Sequence, residues 1–196
     1  MQETSPFLDV ARQRHPPLDA LLLALAAHFR PVDQWHARER LDDYSRYLFG
    51  LDGLHPEAQA GCVLHALRNE IGLRPADCDD PDHLMLDRVL DSRRGHPLLL
   101  TVIAIEVARR AGVQARVCSS PAHWYAAFGE QDVVLVEVGA TASSGEPPAL
   151  VQRHCAHEVG FRVLSRLCHA YNARACAREA ARAATLLRAI DPCPDP

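Results

Sequence analysis

The 196-residue chain contains no lysine; all 21 of its basic residues are arginine. Coding bias in a GC-rich genome is the simplest origin, but the consequences are chemical. No side-chain amine is present for a Schiff base, a pyridoxal phosphate site or a phosphate-binding P-loop. Cys-x-x-Cys pairs are also missing. The seven cysteines, Cys62, Cys78, Cys118, Cys155, Cys168, Cys176 and Cys193, are irregularly spaced and odd in number. That usage fits reduced thiols in a cytosol rather than a disulfide framework. No apolar run approaches membrane-spanning length, and no charged-then-apolar signal pattern opens the chain. Positive charge is not in excess: the net charge is −4 and the pI near 6.2, which argues against nucleic acid and anionic membranes as partners. These absences predict a soluble, cytoplasmic, bacterial protein.

Hydrophobic residues make up 48% of the chain, ample for one packed domain with or without an appended motif. Periodicity predicts a helical first half: a short helix from Pro6, an Ala- and Leu-rich helix over Leu18 to Phe29, an amphipathic one within Val32 to Phe49, and one from His55 to about Ile71. Gly72 to Asp82 reads as a loop, with Asp77, Asp79, Asp80 and Asp82 clustered but without calcium-loop spacing. The central stretch follows. Gly95 and Pro97 provide turn chemistry, Pro97 suits the first helical position, and Leu98 to Ala108 is apolar apart from Thr101 and Glu106. Arg109 and Arg110 suit the last turn and Gly112 the position after it. Strands are predicted at Gln114 to Ser119, Ala122 to Phe128 and Val133 to Val138. Thr141 to Pro148 reads as a surface loop, and Leu150 to Ala189 as helical with a break near Asn172. The fold class is α+β, a buried helix feeding a small antiparallel sheet.

Arg-Arg-Gly-x-Pro at 93–97, the helix ending Glu-Val-Ala-Arg-Arg-x-Gly at 106–112, and Pro121-Ala122-His123 together resemble the SirB-type transglutaminase-like proteins. The resemblance implies a papain-like core over residues 72–149, preceded by a helical part (1–71). It also implies a C-terminal helix pair (150–196) of tetratricopeptide type. For that pair, Leu167, Tyr171, Ala180 and Pro192 fall in register, with Ala184 where a large aromatic is usual. Relatives with active chemistry carry a cysteine at the start of the central helix, a histidine on the second strand and a carboxylate on the third. Those positions here hold Pro97, His123 and Glu137.

The candidate catalytic residues are therefore His123 and Glu137, a dyad without its nucleophile, with Cys118 as a candidate from outside the motif. His123 reads equally as a fold-supporting residue, and Cys118 as a core thiol. Thr101 shares a helix face with Pro97 and is expected to bond back to the Pro97 carbonyl. His96 reads as an exposed turn histidine, with a polar pocket shared with His123 as the alternative. His154 and His157 share a predicted helix face and offer a weak zinc pattern, which a chance cluster also explains. No cofactor or metal is expected. The predicted function is binding of a protein or peptide partner; the alternative is a hydrolase or acyltransferase using His123 and Glu137 with a non-standard nucleophile or a bound water.

Overall fold

Among the described residues, six α-helices precede the main sheet. A computed structural model describes residues 6–76, 80–139 and 150–190. Helices α1 (Pro6–Ala11), α2 (Leu18–Phe29), α3 (Gln34–Ser45) and α4 (Pro56–His65) come first, and α4 runs on into a π-turn at Ala66–Glu70. A two-residue strand β1 (Arg74–Pro75), a 3-10 turn (Pro81–Leu84), α5 (Leu86–Ser92) and β2 (Arg94–Gly95) lead to α6 (Pro97–Arg110). Strands β3 (Ala115–Ser119), β4 (Trp124–Phe128), β5 (Val134–Val136) and β6 (Gln152–His154) precede α7 (Ala156–Ala173) and α8 (Ala177–Ala189). The main sheet is antiparallel in the order β5-β4-β3-β6, and β1 pairs with β2 in parallel. The arrangement is α+β.

Helix α6 is buried on every side from Leu98 to Ala108. An apolar run without a polar stripe has no face for water, so it must be wrapped. Helices α2, α3, α4 and α5 cover one side, and β3 and β4 the other. Gly112, at φ 78°, closes its C-terminus as expected of a residue that must turn left-handed. One continuous core joins α6 to Leu21 of α2, Val117 and Phe128 of the sheet, Val163 of α7 and Leu186 of α8.

Strand register divides the sheet into two faces. Val117, Trp124, Ala126 and Phe128 point into this core, while Cys118, Tyr125 and Ala127 form a separate small cluster on the other face.

Three expectations need correction. The segment after residue 150 does not begin as helix: Gln152–His154 is a strand paired with β3, so His154 stands on a strand and shares no helix face with His157. The break in the C-terminal helices lies at Arg174–Cys176, where Ala175 adopts φ 56°. Within the Gly72 to Asp82 loop, β1 pairs with β2 across the front of α5. Asp80 caps the 3-10 turn and pairs with Arg174 at 3.3 Å; Asp77 and Asp79 lie outside the described residues, as do the 141–148 loop and Pro192. Tyr171 stacks on Phe29 of α2 with ring centroids 5.6 Å apart, so it reaches beyond its own helix pair.

The C-terminal end of α6 holds a buried ionic knot. Arg110 contacts Asp19 of α2 at 2.7 Å, Asp42 of α3 at 2.7 Å and Glu106 one turn back at 2.6 Å. Burial disfavours the guanidinium charge, but the hydrogen bonds to Asp19, Asp42 and Glu106 outweigh it and raise the Arg110 pKa above its ordinary value. Arg110→Ala leaves Asp19 and Glu106 buried without this partner. It should cost about 3–5 kcal/mol of stability, read as a lowered urea midpoint with an unchanged slope.

Candidate functional site

The hairpin between β3 and β4 places His123. The Ser120 N–H donates to the His123 carbonyl at 3.0 Å, closing the turn, and β4 begins at the next residue. Glu137 directly follows β5, the neighbour of β4 in the sheet. The two residues separated by fourteen positions are thereby brought together, with His123 Nδ1 2.9 Å from Glu137 Oε1. With the carboxylate ionised, Nδ1 carries the proton and donates it, leaving the lone pair on Nε2. The imidazole side chain is 47% exposed and the carboxylate 15%. An oriented imidazole open to solvent is the geometry of a general base.

Two contacts hold the Glu137 segment. Arg68, from the π-turn, donates through Nη2 to the Glu137 carbonyl at 2.8 Å, and its Nε lies 3.4 Å from the Val138 carbonyl. Burial lowers the Arg68 pKa, Arg74 lowers it further, and Glu137 opposes both. Gly139 then packs on Pro97: a Cβ built on it would lie 3.3 Å from the Pro97 Cβ. Arg68 was not foreseen, because nothing in a helical pattern marks a side chain that meets the main chain 69 residues later.

Cys118 sits on β3 opposite Tyr125, on the sheet face away from α6. His123 neighbours the same Tyr125, ring centroids 6.3 Å apart. The thiol is buried, and burial raises its pKa against the opposing pull of Arg153 and Arg116. That is the reverse of an activated thiol.

The start of α6 differs from expectation. His96 is not an exposed turn residue but is 2% exposed. It caps the helix, its Nδ1 accepting from the Leu98 N–H at 3.0 Å. Thr101 Oγ1 does not bond back to Pro97; it is buried with no hydrogen-bond partner among the described residues. His154 Nε2 lies 2.7 Å from Ser119 Oγ, whereas His157 Nε2 donates to the Ala11 carbonyl at 2.9 Å. The two imidazoles are therefore engaged in different places, which removes the basis for a shared zinc site.

Beside the His123 turn lies an open groove of about 380 Å³. Its walls are the turn (Ser119 to Ala122), Gln152 of β6, and Arg162, Ser165 and Arg166 of α7, with Trp124 among the residues that line it. The i, i+4 spacing of Arg162 and Arg166 was the available sequence signal for a shared face.

Residues 18–161, spanning the helical half, α6, the sheet and the His123–Glu137 pair, match the sequence profile of the transglutaminase-like superfamily. The chain belongs to that superfamily. It is also similar to a protein described as "UPF0162 protein" in Xylella fastidiosa strain Temecula1, and to its counterpart in strain 9a5c. Each is 29% identical over 150 residues, covering 68% of this chain and 46% of the relative. The chain thus spans about half the length of the curated relatives it matches.

Two outcomes follow from the α6 start. Burial, reinforced by Arg166, lowers the His96 pKa from its ordinary 6.5 to about 4. Between those values the unfolded imidazole is protonated and the folded one is not, so the unfolded state binds more protons. Stability is therefore intact above pH 6.5 and is lost as pH falls towards 4, by about 3 kcal/mol from this group. Urea denaturation across that window should show the loss, and His96→Asn, which keeps a capping acceptor, should flatten it. Thr101→Val removes an unsatisfied buried hydroxyl at nearly constant shape. It should leave stability unchanged or raise it by up to about 1 kcal/mol, in the same assay.

Proposed function

We propose that this is a SirB-type transglutaminase-like protein without thiol chemistry, which works by binding a protein or peptide partner. The observation that carries the reading is at the first turn of α6. A thiol enzyme of this fold needs a cysteine there, where the helix dipole and a neighbouring imidazole stabilise the thiolate. Pro97 stands at that place, has no nucleophilic atom, and packs against Gly139. The candidate from outside the motif, Cys118, five residues before His123, has its pKa raised rather than lowered. Removing the nucleophile of a covalent triad costs on the order of 10⁶ in turnover, because its members act as a unit. We read α7 and α8 as the tetratricopeptide-like pair, docked on the core through Tyr171 and α2, and the protein as bacterial and cytoplasmic.

One observation favours a second reading. The His123–Glu137 contact at 2.9 Å preserves an oriented base. General-base catalysis by such a pair is worth roughly 10² to 10⁴, and a bound water would make it a hydrolase.

Labelling with an electrophilic thiol probe at neutral pH separates thiol chemistry from its absence. Slow labelling, spread over the exposed Cys62 and Cys155 and unaffected by His123→Ala, is the expected result. Fast, stoichiometric labelling at Cys118 that is abolished by Cys118→Ala and depends on His123 would make the protein a rewired thiol enzyme. For the second reading, His123→Ala removes nearly all turnover, whereas a binding protein loses only modest partner affinity.

A further inference from the structure

The groove beside the His123 turn carries cations without counter-ions. Arg162 and Arg166 lie one helical turn apart on α7 and both line it. Among the described residues neither forms an ion pair or a hydrogen bond. The charge effects they exert fall on imidazoles: Arg162 lowers the His154 pKa after burial and against Glu158, and Arg166 lowers that of His96 after burial. The nearest acid on α7, Glu158, is already committed, accepting from the Cys155 N–H at 2.8 Å. Some arginines elsewhere are matched, Arg110 to three carboxylates, Arg30 to Asp87 and Arg174 to Asp80; what sets Arg162 and Arg166 apart is that they line one groove together.

We propose that this groove binds an acidic peptide segment, with Arg162 and Arg166 gripping its carboxylates. Planar guanidiniums suit carboxylates in two-bond geometry. Ser165 and the Gln152 amide supply hydrogen bonds for the peptide main chain. A free oxyanion would use the arginines alone. Pro121, Ala122, Trp124 and Leu150 form an apolar wall, and that wall is used only when carbon is attached to the anion. The inference rests on the peptide-binding reading and names the chemistry of the partner.

Trp124 provides the readout. The other tryptophan, Trp35, is 71% exposed on α3, so the full-length Trp35→Phe protein reports on the groove alone. It is titrated with an amidated peptide containing adjacent glutamates beside a leucine, and with the same peptide carrying glutamines. The expected result is a saturable change in Trp124 fluorescence with the glutamate peptide, weakened by added salt. Roughly tenfold weaker binding is expected for the glutamine peptide and for each of Arg162→Gln and Arg166→Gln. Both arginines are exposed, and matching thermal midpoints verify that the variants fold. Arg162→Lys with Arg166→Lys should retain more affinity than the glutamine pair. Equal binding of the glutamine peptide, competition by inorganic phosphate at the peptide's own affinity, or no saturable signal would each overturn the proposal. Capture of a native partner that survives the double glutamine variant but weakens in His123→Ala would also overturn it, while leaving the broader binding reading in place.

Discussion

Helix α6 has no side facing water, and the remaining architecture answers to that. A helix buried from Leu98 to Ala108 must be enclosed by other elements and must also have both ends satisfied out of solvent. At the C-terminal end Arg110 binds the buried Asp19 of α2 and the exposed Asp42 of α3, so the knot that stabilises α6 also fixes α2 and α3 against it. At the N-terminal end the His96 imidazole accepts the Leu98 N–H, and Pro97 has no N–H to satisfy. The His96 N–H in turn donates to the His83 carbonyl at 2.9 Å, which ties the helix start to the turn before α5.

The candidate site inherits its positions from that enclosure. The sheet covers one side of α6, so its strand ends lie where the helix begins, and the chain leaving β5 passes over Pro97 at Gly139. His123 and Glu137 meet because the β4–β5 register brings the start of one strand to the end of the other. Arg68 reaches this point because the π-turn ending α4 re-aims one side chain onto the Glu137 and Val138 carbonyls. An insertion of this kind inside a helix is uncommon and frequently serves a site. Here its product is a guanidinium spent on backbone, so it positions the pair rather than charging it.

Much of this was legible in the sequence, and the failures share a cause. The long helices and β3, β4 and β5 announce themselves by apolar period, and α2 begins and ends where the pattern does. The His123–Glu137 contact was legible only through the resemblance, since thirteen intervening residues say nothing of register. Strand β6 was missed because Gln152, Arg153 and His154 have no apolar alternation; its strand state comes from pairing with β3. The burial of His96 was missed for a similar reason. A histidine before a proline looks like a turn, and only the tertiary packing around α6 places it inside. Thr101 shows the converse: local chemistry offered a bond to the Pro97 carbonyl, yet the hydroxyl is left unpaired. In each case a local preference was overruled by tertiary packing or strand pairing.

The same enclosure explains why the start of α6 can lack a nucleophile and still be electrostatically consequential. In a thiol enzyme the dipole of this helix would stabilise a thiolate. Here the first turn is closed by a neutral imidazole and a proline ring, and neither supplies an anion to that positive end. A neutral cap accepts the Leu98 N–H without adding negative charge, and burial keeps it neutral. Arg166 adds to the positive potential felt at this cap, lowering the His96 pKa after burial, although the chain as a whole carries a net charge of −4. Overall charge averages over the whole surface, whereas recognition depends on the few charges that line one concavity.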